Sequence, residues 1–334
     1  MFLKSNKMIT GIDIGHYAVK YVSIDQSGDS MELIKAGYVR VEDYKSDQVN
    51  LSKTMENLTD KIGKKRGKVV SSVDNENLIV KKMRIPVMER EAVIETIRWE
   101  FSEYVPFSLD NSVIDYVVTA ENENEIEITA VIIPRESVNS SLKLLKGFQV
   151  STLNIQPFSL LNLFNRSNKP YPLMIIDLGH YSTQIIVGGK ENIHLLRNLD
   201  FGTDDMREYQ NGYEKNLTLV QEKNQTAYNT GNNIKQSRIE ELKLEINRAI
   251  NFFKKKSNGN YIEEVYLSGG GVYLSNLNSE LNSCVDVECK PLNPFSNIEW
   301  NIDRIDDSYY ENSFHSEYAV AAGLCISEVL ADEG

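Results

Sequence analysis

A six-residue pattern occurs twice in this chain, as Asp13-Ile14-Gly15-His16-Tyr17-Ala18 and as Asp177-Leu178-Gly179-His180-Tyr181-Ser182, at an offset of 164 residues (13 to 177). Each copy lies between two short, mostly apolar segments and opens a run that reads as a three-strand meander. The expected strands are 8–14, 18–25 and 31–41 in the first case, and 173–178, 182–187 and 192–200 in the second. An aspartate that ends a strand places its carboxylate at the mouth of a cleft. The glycine lets the turn close and brings backbone N–H groups near an anion. A single Asp-x-Gly turn is ordinary hairpin chemistry. Two of them, half a chain apart, indicate two related halves, and turns that face one another would grip a polyphosphate from both sides, with both aspartates near a hydrated Mg2+.

The rest of the pattern is mixed α and β. With 334 residues, 41% of them hydrophobic, the chain can bury a core as two domains or as one domain built from two halves. Leu51, Met55, Leu58 and Ile62 recur at helical spacing, with Gly63 where a helix C-terminal glycine belongs, and strands are expected over 69–73 and 78–85. From Pro86 to about Val150 the order becomes helix, strand, strand, helix. Glu89 and Glu91 open the first of these helices, Val93, Ile97, Phe101 and Val105 share a face, and Pro106 is expected to stop it. Strands over 113–119 and 126–133 follow, then a helix marked by Val138, Leu142 and Leu145 that ends at Gly147. This α+β unit reads as an insertion. The expected division is 1–85 with 151–169 for the first half, 86–150 for the insertion and 170–334 for the second half. In that last part, helical material is expected over 202–223 and a polar loop over 225–233. Ile239, Leu242, Ile246, Ile250 and Phe253 mark a long helix stopped by Asn258-Gly259, and a strand over 264–267 runs into three glycines and a helix over 274–281.

Charge narrows the partners. Lys+Arg 36 against Asp+Glu 48 leaves the chain at −12, whereas a general nucleic-acid binder needs a surplus of phosphate-neutralising cations. The same sign argues against a stretch drawn onto anionic lipid. The most apolar windows, 171–178 and 130–134, fall far short of the roughly 20 residues that span a bilayer. The first seven residues lack the apolar run of a secretory signal, so a cytoplasmic chain is expected, with no direct membrane insertion. Three cysteines, Cys284, Cys289 and Cys325, lack the companions of a disulfide framework or a zinc site.

A third element is a glycine run. Residues 267–271, Leu-Ser-Gly-Gly-Gly, either allow close backbone approach to a flat or charged ligand after a strand or form a flexible turn, and they lack the G-x-G-x-x-G spacing of a dinucleotide fold. Two phosphate turns, an insertion in the first half and a late glycine loop resemble the actin-like ATPase superfamily. More narrowly, Gly11-Ile12-Asp13-Ile14-Gly15 with Val19-Lys20, Ile97-Arg98-Trp99-Glu100 with Tyr104-Val105-Pro106-Phe107, Asp115-Tyr116, the 267–271 loop and Asn293-Pro294-Phe295 resemble the PilM family of type IV pilus assembly, a relative of the division protein FtsA. The Trp-Glu…Pro-Phe stretch is the part most specific to that family, and the turns identify only the superfamily.

The resemblance implies an α/β, actin-like ATPase fold of two duplicated ribonuclease-H-like halves around a nucleotide cleft, with a small α+β insertion domain. It implies ATP or ADP with Mg2+ as the ligand. Asp13, Gly15, His16, Tyr17 and Lys20 match the first phosphate loop, with Lys20 reaching the β/γ-phosphates. Asp177, Gly179, His180, Tyr181, Ser182 and Thr183 match the second, and Gly269, Gly270, Gly271 and Val272 the adenosine loop. Asp13 and Asp177 would hold Mg2+ through water. Glu245 and Arg248 share a face of the long helix at i, i+3, either toward adenine and ribose or as an exposed ion pair. Gln156, before Pro157, stands where the superfamily orients the attacking water, beside Asp13 and Asp177 as the catalytic set. Glutamine orients water but is no strong base, so slow hydrolysis is expected, with ATP acting as a clamp between the halves. Family members usually carry small hydroxyl residues where this chain has His16 and Tyr17. Their bulk would narrow the γ-phosphate pocket, or His16 and His180 would donate to phosphate oxygens. The implied partner is the cytoplasmic N-terminal segment of the inner-membrane protein PilN, held as an extended peptide between the insertion and the first half, with other pilus assembly proteins beside it. A filament-forming FtsA-like protein and a small-molecule kinase are the alternatives. The first usually ends in a basic amphipathic helix, whereas this sequence ends Ala331-Asp332-Glu333-Gly334, and the second needs an acceptor-site carboxylate that the sequence does not show.

Overall fold

The computed structural model describes residues 7–28, 30–41, 51–63, 67–73, 77–165, 172–189, 192–206, 236–257, 261–274, 276–283, 287–305 and 315–333. The six-residue repeat is the visible part of a repeated sheet. Strands β1 (Lys7–Ile14), β2 (Ala18–Ser27) and β3 (Ser30–Arg40) form an antiparallel meander, extended on the β1 side by β4 (Lys68–Ser72) and β8 (Val150–Asn154), both parallel additions, in the order β3-β2-β1-β4-β8. The second sheet repeats this with β9 (Leu173–Leu178), β10 (Thr183–Gly189), β11 (Asn192–Leu199), β12 (Val265–Ser268) and β13 (Cys289–Pro291), in the order β11-β10-β9-β12-β13. A third sheet, β5 (Ile79–Pro86), β6 (Ser112–Glu121) and β7 (Glu125–Pro134), runs antiparallel in the order β5-β7-β6. On it, α2 (Arg90–Phe101) buries Val93, Ile97 and Phe101 against Ile85, Ile126 and Ile128.

Local signals account for several elements. Helix α1 (Leu51–Ile62) buries Met55 and Leu58 and ends at Gly63, whose φ of 82° and N–H bond to the Thr59 carbonyl form the expected C-terminal cap. The helix α6 (Gln236–Lys256) lays Ile239, Leu242, Ile246, Ala249 and Phe253 on Met174, Ile176 and Val265 of the second sheet. Between β7 and β8 lies α3 (Arg135–Leu144), after which Leu145 and Phe148 join Met55 and Leu58 in the first half's own core.

Other elements differ from expectation. Strand β5 belongs to the insertion's sheet, paired with β7 from Ile79↔Ile132 to Pro86↔Glu125, so that sheet begins before Pro86. Helix α2 stops at Phe101, and the N–H groups of Tyr104 and Val105 both turn back to the Phe101 carbonyl. The residue before a proline is disfavoured in helical geometry, so the chain leaves the helix a turn ahead of Pro106 while Val105 still packs on the insertion's core. The helix expected over 274–281 is a 3-10 segment (Gly270–Tyr273) followed by α7 (Leu277–Asn282). Within 202–223 only α5 (Thr203–Met206) is described; the rest of that segment, the 225–233 loop, the Asn258-Gly259 stop and Cys284 lie outside the described residues.

The two sheets are joined by α4 (Gln156–Asn162) and α8 (Ala319–Glu333). Their Leu160, Leu161, Ala321, Ala322, Leu324 and Val329 share one core with Ile9, Val22 and Ile24 of the first sheet and Ile175, Ile186 and Tyr266 of the second. The packing is backbone-close. A Cβ at Gly323 would fall 1.9 Å from the Ser159 carbonyl oxygen, and one at Gly11 would fall 2.1 Å from that of Ala321. Among the described residues, no helix is long and apolar enough to cross a membrane. Because Gly323 lacks room for any side chain, Gly323→Val is expected to destabilise the chain by at least ~2 kcal/mol. Thermal unfolding reads this directly, and an unchanged midpoint would contradict the α4–α8 contact.

Candidate functional site

Asp13 lies opposite Lys20 in the β1–β2 register, so their side chains share a face, and Lys20 Nζ donates to Asp13 Oδ2 at 2.9 Å. In the second half the register position opposite Asp177 is taken by Gln184, whose amide donates to Asn198 at 2.9 Å. Asp177 instead accepts from Gln156 Nε2, at the first residue of α4, at 2.5 Å, and has Ser268 of β12 beside it in parallel register. The duplicated turns have therefore kept two aspartates but one lysine.

The turns themselves share a hydrogen bond: Gly15 N–H donates to the Ala18 carbonyl at 3.2 Å, and Gly179 N–H to that of Ser182 at 3.0 Å. The second turn is braced further, since Thr203 N–H reaches the Gly179 carbonyl, Asp204 N–H reaches that of His180, and the buried Thr183 hydroxyl donates to the Phe201 carbonyl. Ser182 is exposed. The glycine loop closes on this turn. Gly269 has a φ of 82°, its N–H donates to the Ser316 carbonyl at 3.2 Å, and a Cβ there would meet the Leu178 carbonyl oxygen at 2.5 Å and Asp177 Oδ1 at 3.1 Å. Gly271 abuts Leu178 and Thr203, Gly270 faces open space, and Val272 packs on the core beneath α6. Across the cleft, His16 and Tyr17 meet Tyr181 and His180 ring to ring.

Glu317 joins the site without any sequence signal. It sits in a 3-10 segment (Ser316–Tyr318) just before α8, its Oε2 accepts from the Tyr273 hydroxyl at 2.5 Å, and its buried Oε1 has no hydrogen-bond partner among the described residues. The structure does not bring Glu245 and Arg248 to these groups. Glu245 accepts from Arg197 of the edge strand β11 and from Arg248, with β10 and β9 lying between β11 and the loop-bearing β12. In the insertion, Trp99 of the family-like stretch is 72% exposed, and the Lys81 ammonium lies 4.1 Å from the Tyr104 ring centroid.

The electrostatics follow from burial. Asp177 is pushed up to about 6, first by loss of solvent and then by the nearby Asp13 carboxylate, against the pull of Ser268, Lys20 and Gln156. Burial also raises Glu317, against the Tyr273 hydroxyl and Lys20. For Lys20, burial works downward but is outweighed by Asp13, with Asp177 and Glu317 adding, so its pKa is raised. A carboxyl whose folded pKa lies above its unfolded value of 3.8 binds the extra proton in the folded state, so stability falls as pH rises from about 4 to about 6. The full cost, on the order of 3 kcal/mol for Asp177, stands at pH 7. Asp177→Asn should accordingly be more stable than the parent at pH 7 and lose that advantage toward pH 4 in urea unfolding; parallel pH profiles for the two proteins would contradict the desolvated site.

Two solved structures place this arrangement among known folds. The chain is similar to a structure described as the PilM-PilN type IV pilus biogenesis complex, with a TM-score of 0.75, 21% identity, and coverage of 96% of this chain and 98% of that one. It is also similar to the ethanolamine utilization protein EutJ from Carboxydothermus hydrogenoformans, with a TM-score of 0.52, 12% identity, and coverage of 97% and 90%. The duplicated sheets about α4 and α8 are the actin-like ATPase fold. No curated protein matches the chain. The family described as type IV pilus assembly protein PilM matches residues 11–329, from β1 into the last turns of α8, and the chain belongs to that family.

Proposed function

We propose that this chain is an ATP-binding scaffold of the type IV pilus assembly machinery, with Mg·ATP or Mg·ADP between the two glycine turns and a PilN-like peptide as its partner. The observation that carries the reading is the convergence of Asp13, Lys20 and Asp177 between two turns of the same geometry. Among the described residues one lysine answers three carboxylates, Asp13, Asp177 and Glu317, and a site so short of positive charge suits a divalent cation met through water and phosphate oxygens. Gly270, open to space beside the closely packed Gly269 and Gly271, allows backbone approach by a flat ligand.

Within this reading Lys20 is the cation for the phosphates, and Asp13 and Asp177 orient water on Mg2+. The Gln156 amide, tied to Asp177, positions a water but cannot take its proton, so turnover is slow and the bound nucleotide acts as a clamp between the halves. Kinship with a PilM–PilN complex supports a PilN-like partner whose cytoplasmic N-terminal segment lies between the insertion and the first half. That partner would place a cytoplasmic protein at the inner face of the membrane. An FtsA-like or kinase role has no comparable support.

In titration calorimetry, Asp13→Ala is expected to weaken Mg·ATP binding at least ~10-fold, a loss of about 1.4 kcal/mol. Unchanged affinity would remove the nucleotide assignment. Labelled N-terminal peptides of PilN-like proteins should bind the purified chain, and their failure both with and without Mg·ATP would remove the partner assignment.

A further inference from the structure

Both turns carry the same pair of letters, His then Tyr, and the tertiary structure shows what the doubling does. The His16 ring packs on Tyr181 with centroids 5.5 Å apart and planes at 71°, and the Tyr17 ring packs on His180 at 5.3 Å. Each contact runs from one half to the other, and the pairing is crossed, histidine on tyrosine in both directions. His180 also lies 4.4 Å from Tyr181, so the four rings form one cluster between the turns. Charged groups outside the turns stand near it at both ends. The Arg40 guanidinium of β3 stands 5.8 Å from the Tyr17 ring, and the Asp204 carboxylate of α5 stands 3.8 Å from His180 Nε2, with the His180 side chain only 7% exposed.

In the nucleotide reading, a polyphosphate gripped by both turns would lie in the gap that these rings span. Its adenosine end belongs at the Gly269–Gly271 loop, so the terminal phosphoryl group reaches deepest between the turns. We propose that His16, Tyr17, His180 and Tyr181 form a clasp between the halves that selects the length of the phosphate chain. A nucleoside diphosphate enters with the clasp shut, and a third phosphoryl group enters only when the two ring pairs part. This rests on the nucleotide reading above. Two aromatic contacts of this kind correspond to roughly 5- to 150-fold in the opening equilibrium. Affinity for a triphosphate falls by the same factor, because only the open fraction can accept it.

The test titrates Mg·ADP and Mg·ATP into the full chain, into His16→Ser/Tyr17→Thr and into Tyr181→Ser, which loosen the cluster from opposite sides. The parent should favour ADP, and the ratio of ATP to ADP affinity should rise ~5-fold or more in His16→Ser/Tyr17→Thr, which removes both contacts, and ~2-fold or more in Tyr181→Ser, which removes one. A ratio that is unchanged or lower in both variants, with ADP still bound, would overturn the clasp; the lower case would make the rings phosphate donors. A ligand-free measurement separates the clasp from the nucleotide assignment. In a double-mutant cycle of Tyr17→Leu and His180→Leu read by urea unfolding, the double variant should lose less than the two single losses combined, and strictly additive losses would overturn the contact itself. Coupled losses with no nucleotide bound by any variant would remove the nucleotide assignment and overturn the selectivity with it.

Discussion

The close crossing of α4 and α8, where Gly323 leaves no side chain between its own backbone and the Ser159 carbonyl, is what sets the two halves against each other. Helix α4 follows directly from the last strand of the first sheet, and α8 returns from the second half to lie on β1 at Gly11. Their apolar side chains fill the space between the sheets as one shared core, beside the separate cores that each half has of its own. Interiors packed at this density have few arrangements of similar energy, so the relative position of the sheets is well specified. The ends of β1 and β9 consequently stand across one gap, near enough that Asp13 helps to raise the pKa of Asp177 and Asp177 helps to raise that of Lys20.

Duplication produced equal turns but unequal charge. Lys20 and Gln184 occupy equivalent register positions, yet only the first is a cation. The single ammonium therefore serves Asp13 directly and Asp177 and Glu317 at longer range, which leaves Asp177 desolvated beside a like charge. The chain carries −12 overall, and among the described residues Lys20 is the ammonium that the buried carboxylates Asp13, Asp177 and Glu317 share. The four packed rings belong to the same two turns as Asp13 and Asp177.

Sequence patterns exposed the elements that face water on one side. Helices α1 and α6 each bury one stripe and were plain from their spacing. Helix α8 gave no such signal, because Ala319, Val320, Ala321, Ala322, Leu324, Cys325, Ile326 and Val329 are all buried and an apolar run without a polar face has no period to read. The partner of β5 was equally hidden, since its own letters do not say which neighbour supplies the hydrogen bonds, and β7 does. Glu245 and Arg248 pair at the helical spacing the sequence shows, whereas the second partner of Glu245, Arg197 of β11, is far away in sequence and no local pattern points to it. Glu317 belongs to no motif, and only the fold carries it to Tyr273 and Lys20.

By itself, the sequence determined the two Asp-x-Gly turns, the meanders they open, the glycine loop and the one lysine among them, because these depend on contacts between residues close along the chain. The tertiary structure alone decided how those parts meet: which carboxylate is buried, that Glu317 joins them, and that two identical His-Tyr pairs close on each other across the cleft. The reason is physical. Turn geometry and register are set by neighbouring atoms, whereas burial and facing contacts depend on how α4 and α8 bring distant surfaces together.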